Sequence, residues 1–316
     1  MSKSRGRNRT SRAGMVVMAG VEQAVLFKCG DAQLMGIASI PARAFHRGVV
    51  IVVGGPQYRT GSHRQFTLLC RQLAADGIAS LRFDYHGMGD SDGPPALGVD
   101  GIAADIRCAI DAFLARASGV TEIVLWGLCG AASASALYAP GDARVTGLVM
   151  LNPWVRTEQG HAKTQLQHYY LARLLNREFW LRMVSGKVNL WSSMRGLAQS
   201  AKSAIGGASS PALSTSSAAT EGAAPKPNGS LPDRMLAALV QARLPALVIL
   251  SGDQDMTANE FRQLVGESRS WARWMTLPHT QCMEVAGSSH TFASADWRGQ
   301  VAAATSAWVK ASLPAR

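Results

Sequence analysis

The segment Val124-Leu-Trp-Gly127-Leu-Cys129-Gly130-Ala131-Ala132 runs from an apolar β pattern straight into a stretch of small residues. Small residues two before and two after Cys129 let a strand turn sharply into a helix, with the thiol raised at the turn. This is the nucleophile-elbow pattern, G-x-nucleophile-x-G, with Ala131 in place of the last glycine. Helix N-termini and neighbouring histidines are the settings in which cysteines react as thiolates. A nucleophile of this kind needs a base, and the base needs an orienting acid. Asp255, in Gly252-Asp-Gln-Asp255, and His290, in Val285-Ala-Gly-Ser-Ser-His290, follow later apolar runs in the order nucleophile, acid, histidine. Asp253 is the alternative acid, and helix capping is the alternative role of Asp255, because Thr257-Ala-Asn-Glu260 resembles a capping box.

The chemistry these residues support is attack on an acyl carbonyl, which also needs backbone N–H groups for the oxyanion. Gly130 follows the nucleophile directly. The loop Val53-Gly54-Gly55-Pro56-Gln57 is expected to supply the second donor from Gly55 or Gln57, since Pro56 has no N–H, with Gly55 the leading candidate. Gln57, His63, Trp154, Tyr169 and Tyr170 are further candidates for substrate contact.

These groups must be carried by alternating strands and helices. The pattern predicts strands over 21–29, 33–40, 49–53, 78–83, 122–126, 147–151, 247–250 and 282–285. Helices are predicted over 63–76, 99–115, 130–138, 257–265 and 293–313. Short, continuously apolar runs between helices indicate an α/β fold, a mostly parallel sheet of about eight strands covered on both faces. Ligands of such sheets bind beyond the carboxyl ends of the strands. That rule sets aside His46 and His279, which precede strands, and retains His63, His86 and His290.

The alternation is interrupted after residue 153. Residues 154–195 are rich in aromatic and basic side chains at helical spacing and predict an inserted helical cap. In 201–230, 22 of 30 residues are Ala, Ser, Gly or Pro, a composition that cannot bury enough surface to order itself, so 196–232 reads as a flexible linker. The α/β core then comprises 15–153 and 233–316, with 1–14 a disordered basic tail; Met15 and Met18 offer alternative starts.

With 47% hydrophobic and 17% charged residues, the 316-residue chain supports a large core and is neither disordered nor coiled coil. Of the net charge of +11, five positives fall in the first 14 residues, leaving +6 spread over the rest, so no nucleic-acid partner is expected. Cysteines 29, 70, 108, 129 and 282 are odd in number and contain no C-x-x-C, which argues against disulfides and for a reducing compartment. Apart from Cys129 they read as buried small hydrophobes. No apolar run is long enough to span a bilayer and none follows the basic tail as a signal peptide would, so a cytoplasmic location is expected. The stretch Gly87-Met-Gly89-Asp-Ser-Asp-Gly93 has G-x-G-x-x-x-G spacing and runs into Pro94-Pro95 instead of a helix. It reads as a structural turn, and neither cofactor nor metal is expected. The partner is a small acyl substrate; the oligomeric state is unassigned.

The stretch Arg82-Phe-Asp84-Tyr-His-Gly87-Met-Gly89-Asp-Ser91, with the elbow and His290, resembles the α/β-hydrolases over nearly the whole chain outside the tail and linker. More narrowly, Gly54-Gly-Pro-Gln-Tyr-Arg-Thr-Gly-Ser-His-Arg64, Gly127-Leu-Cys129, Asn152-Pro-Trp-Val-Arg-Thr-Glu158 and His168-Tyr-Tyr170 resemble the exosortase A system-associated hydrolase 1 family. That resemblance implies a cytoplasmic hydrolase working beside exopolysaccharide and PEP-CTERM protein-sorting systems. Dienelactone hydrolases and polyhydroxyalkanoate synthases also place cysteine in this elbow, so the thiol is compatible with ester or thioester hydrolysis and with acyl transfer. A non-catalytic scaffold that retains the fold is the third reading.

Overall fold

Four strands in the middle of the sheet are buried on both faces, and their residue types follow from that. Strand β3 (Arg47–Val52) has every residue buried, as do β4 (Ser80–Phe83) and β7 (Ala246–Ser251); β5 (Glu122–Leu128) exposes only its first residue in part. β-Branched and aliphatic side chains fill a two-sided core of this kind, and a polar alternation would strand half of them in it. The edges differ. Strand β1 (Val21–Cys29) is largely exposed, and β8 (Thr280–Val285) buries only its two ends. Strands β2 (Ala32–Ile40) and β6 (Val145–Leu151) complete an eight-stranded sheet of order β1-β2-β4-β3-β5-β6-β7-β8. The β1–β2 and β2–β4 pairs are antiparallel and all others parallel. The computed structural model describes residues 21–54, 57–95, 98–156 and 229–311. These belong, apart from Gly229, to a unit formed by Met1–Thr157 with Ser230–Arg316; Glu158–Gly229 is a separate unit. The predicted tail, and nearly all of the predicted cap and linker, lie outside the described residues.

The described helices are α1 (Gln65–Ala75), α2 (Ala103–Leu114), α3 (Gly130–Tyr138), α4 (Leu231–Ala242), α5 (Met256–Glu267), α6 (Arg269–Met275) and α7 (Ala295–Lys310). Helices α1 and α7 pack together, while α3 touches both α2 and α4. Between α1, β5 and α7, the fully buried Trp126 ring meets Phe66 edge to face at 5.7 Å and donates through Nε1 to Thr305 Oγ1 at 3.3 Å. Each large side chain so buried contributes on the order of 2–3 kcal/mol relative to exposure.

Two helices are additional to those predicted. Helix α4 begins at Leu231, within the span assigned to the linker; Ser230 caps it and Pro232 occupies its first turn. Helix α6 buries Trp271 and Trp274 at i, i+3. Helix α2 starts at Ala103, not at 99, because residues 98–102 form a turn opened by Gly98 at φ 69°. Cys282 corrects the reading of the non-elbow cysteines as buried: it is exposed, on the edge strand. Cys29 and Cys70 are buried, and Cys108 is half-buried.

The topology fixes where a ligand can sit. From β3 the chain steps to β4 on one side and then to β5 on the other, so the loops after β3 and β5 diverge around a crevice at the carboxyl ends. Cys129 follows β5 and Gly54 follows β3 by two residues.

Candidate active site

Cys129 sits between the last residue of β5 and the first of α3 with φ 59° and ψ −124°, a conformation L-residues rarely adopt. Holding a non-glycine residue there costs on the order of 1–3 kcal/mol and persists only where surroundings enforce it. The enforcing contacts are visible. The Cys129 N–H donates to Leu151 O at 2.8 Å, and its carbonyl accepts from Ala132 N at 3.0 Å and Trp154 N at 3.4 Å. The turn is so tight that a Cβ on Gly127 would lie 2.5 Å from the Ala131 carbonyl carbon, and one on Gly54 would lie 2.7 Å from Ala131 N. Small residues are required there by space.

His290 is brought from the loop after β8. Its Nδ1 lies 2.8 Å from Asp255 Oδ2, and Cys129 is near enough to act on the same ring. Asp255 is 8% exposed; its Oδ2 also accepts from Ser251 Oγ at 2.5 Å and its Oδ1 from Thr257 N at 3.0 Å. The carboxylate therefore caps α5 and holds the imidazole at once. Burial opposes its charge, but the His290 and Ser251 bonds outweigh that and set its pKa below the ordinary value. Burial likewise opposes charge on His290, and the Asp255 bond followed by the Cys129 contact overcomes it, raising the ring's pKa to about 10. Asp253, the alternative acid, is exposed and uses its carbonyl to accept from Asn259 Nδ2.

A cavity of about 480 Å³ opens over the thiol, lined by Gly54, Tyr85, Met88, Val99, Ile102, Cys129, Gly130 and Trp154, with Arg156 and Thr257 at its polar side. Gly130 opens α3, so its N–H has no carbonyl one turn earlier to bond. Gly55, Tyr169 and Tyr170 lie outside the described residues. Gln57 and His63 are not among the residues lining this cavity, whereas Trp154 is. The Arg59 guanidinium is engaged by the carboxylates of Asp84 and Asp90, which leaves the 59–64 loop without a free arginine at that position. The glycine-rich turn 87–93 wraps Asp84: Asp90 N donates to its Oδ2 at 3.2 Å and Ser91 Oγ to its carbonyl at 2.6 Å, as a structural turn should.

Two supporting residues escaped the sequence reading. Asn152, fully buried after β6 at φ 42°, accepts from Ser251 N at 2.8 Å and donates to the His290 carbonyl at 3.1 Å. It thus ties three strand-end loops together. Arg156 pairs with Glu260 at 3.1 Å on the cavity rim. The available signal for Asn152 is its place at a strand's carboxyl end.

Several solved structures share the fold. The DcsB structure in complex with its substrate analogue is 17% identical, covering 92% of this chain and 98% of that one, with a TM-score of 0.58. The Pyrococcus furiosus esterase Pf2001 is 13% identical, covering 92% of each chain, with a TM-score of 0.58. The dienelactone hydrolase from Anabaena variabilis is 14% identical, covering 92% and 97%, with a TM-score of 0.54. At these identities the likeness shows the α/β-hydrolase fold alone. No curated protein matches the chain. No helix among the described residues is long and apolar enough to cross a membrane. Residues 45–202, half of the chain, match the family described as serine aminopeptidase, S33. With a thiol at its elbow where the family takes its name from serine, this chain belongs to the serine aminopeptidase, S33 family of hydrolases.

Proposed function

We propose that the protein hydrolyses acyl ester or thioester bonds through Cys129, with His290 as acid–base and Asp255 as its orienting acid. The observation that carries this is the hydrogen bond from His290 Nδ1 to Asp255 Oδ2, at 2.8 Å, beside a cysteine held at φ 59° on an apolar cavity and acting electrostatically on the same ring. The Cys129 proton passes to His290, whose imidazolium the neighbouring carboxylate favours, before sulfur attacks the carbonyl carbon. The oxyanion is held by the Gly130 N–H and by Gly55, each such donor being worth about 3–4 kcal/mol in the transition state. The imidazolium then protonates the departing alcohol or thiol, leaving a thioester on Cys129. Water, giving its proton to His290, attacks that thioester and releases the acid.

The cavity lining also bears on substrate class. Among the described residues that line it, none is acidic, and Arg156 is basic. An aminopeptidase must hold a substrate ammonium, which calls for a carboxylate; this lining favours an apolar acyl group instead. The presence of sulfur supports a second reading, transfer of the acyl group to an alcohol, because a thioester is an activated donor. The family resemblance carried by the 54–64 and 152–158 motifs supports a place beside exopolysaccharide and exosortase functions.

The test is turnover of p-nitrophenyl esters by wild type, Cys129→Ala and His290→Ala, with added alcohols. Loss of turnover in both folded variants supports the reading, and acylated alcohol forming faster than free acid selects transfer. Full activity in Cys129→Ala excludes the mechanism.

A further inference from the structure

Next to the cavity the fold gathers a second set of reactive side chains that the proposed chemistry does not use. Cys29 ends β1, His86 lies in the turn after β4, and Asp105 and Cys108 sit three residues apart on α2. Asp105 is 1% exposed and Cys29 4%. Asp105 Oδ1 lies 2.6 Å from His86 Nδ1 and 3.6 Å from Cys29 Sγ, while its Oδ2 accepts from the His86 N–H at 2.9 Å. The ligand atoms of Cys29, His86 and Asp105 are all within 4.8 Å of one another. Cys108 packs against the small buried cluster of Cys29, Ala32 and Leu34, just outside that 4.8 Å set.

We propose that Cys29, His86 and Asp105, with Cys108 turning in as the fourth donor, form a binding site for a thiophilic divalent cation, zinc in the first instance. Two sulfurs, one imidazole and one carboxylate are the four donors a closed tetrahedral zinc site takes. The spacing of the three gathered donors can be compared with such a site. Zinc–sulfur and zinc–oxygen bonds at tetrahedral angles put sulfur and oxygen about 3.5 Å apart, close to the 3.6 Å between Cys29 Sγ and Asp105 Oδ1. His86 Nδ1 and Asp105 Oδ1 must open to about 3.3 Å, which rotation of a ring 23% exposed allows. Binding releases the two thiol protons, and the ion's two positive charges then offset two of the three negative ligand groups. With all four donors supplied by the protein and the carboxylate buried, the ion's role is structural. It would clamp β1, the turn after β4 and α2 together, and the latter two elements neighbour Tyr85 and Ile102 of the cavity wall. No C-x-x-C announces such a site, because its ligands come from three separate segments.

The experiment titrates Co²⁺, and then Zn²⁺, into the full reduced chain after chelator treatment. Metal content is measured on the gel-filtered protein. The expected result is one ion per chain, tetrahedral cobalt absorption with a sulfur-to-metal charge-transfer band, displacement by zinc and a raised thermal midpoint. Cys29→Ser and His86→Ala should each weaken binding at least tenfold, and Cys108→Ser, at a half-buried position, serves where the first variant fails to fold. Cys129→Ala and Cys282→Ala should keep the full spectrum. A band abolished by Cys129→Ala, binding unchanged in Cys29→Ser and Cys108→Ser, absence of any band, or a Cys29–Cys108 disulfide forming in the presence of zinc would each overturn the proposal.

Discussion

Replacing Asp255 by Asn tests the orienting role with almost no change in shape. In the wild type, Oδ2 accepts from His290 Nδ1 at 2.8 Å and from Ser251 Oγ at 2.5 Å, and Oδ1 accepts from Thr257 N at 3.0 Å. Asparagine can keep only one of these faces. If its oxygen stays on Thr257 N, its NH₂ points at His290 and must donate, which forces Nδ1 to accept and moves the ring proton to Nε2. A ring protonated there cannot take the Cys129 proton. If the amide flips, its NH₂ opposes the Thr257 N–H and the cap of α5 is lost. The wrong tautomer in a triad costs about 10⁴-fold in kcat, or about 5.5 kcal/mol of transition-state stabilisation. The assay is kcat/KM on a p-nitrophenyl ester beside an NMR titration of the His290 ring. The ring pKa should fall from its raised value near 10 toward the ordinary 6.5 once the carboxylate is gone. A variant that keeps activity within tenfold of wild type, with its ring still titrating near 10, would refute the assignment of Asp255.

Other expectations follow from the same geometry. Trp126→Ala removes a fully buried ring stacked edge to face on Phe66 and should destabilise the fold by about 3–5 kcal/mol in guanidinium unfolding. Asn152→Ala leaves the buried Ser251 N–H without its acceptor and frees the His290 carbonyl. It should lower stability by about 1–3 kcal/mol and lower kcat with it, as denaturant curves and initial rates would show. For pH, the raised His290 pKa means that its stabilising contribution is complete below pH 6.5 and is lost as pH rises through about 10. The thermal midpoint of wild type should therefore fall more steeply across that window than that of His290→Ala; parallel curves would contradict the assignment. Asp255 acts in the opposite sense, its contribution present at neutral pH and lost on acidification.

The strands were legible because two-sided burial leaves no room for polar residues: β3 and β7 read as continuous apolar runs and are buried throughout. The elbow was legible because steric demand selects residue type, so Gly127 and Ala131 mark the turn before any geometry is known. Strand-end placement retained His290 and both candidate acids, and the structure brings Asp255 and not Asp253 to the imidazole. What stayed hidden depends on tertiary contact. Helix α4 begins beside an Ala/Ser/Gly/Pro-rich stretch whose composition masked the Ser230 cap, and α6 is too short for its Trp271–Trp274 pair to register as a period. The strand-end rule retained His86 as well, but nothing local links it to Asp105 on α2, nor Cys29 to Cys108. Asn152 carries no motif; only the meeting of the loops after β6, β7 and β8 gives it work.

The central claim is that Cys129 becomes acylated. Intact-protein mass spectrometry after mixing with an activated acyl ester tests it most directly, comparing wild type with Cys129→Ser and His290→Ala. The account predicts one acyl adduct in the wild type, mapped to Cys129 on the peptide level and formed far more slowly in His290→Ala. An adduct on another residue, or turnover without any adduct in a chain whose Cys129→Ala variant is equally active, would contradict it.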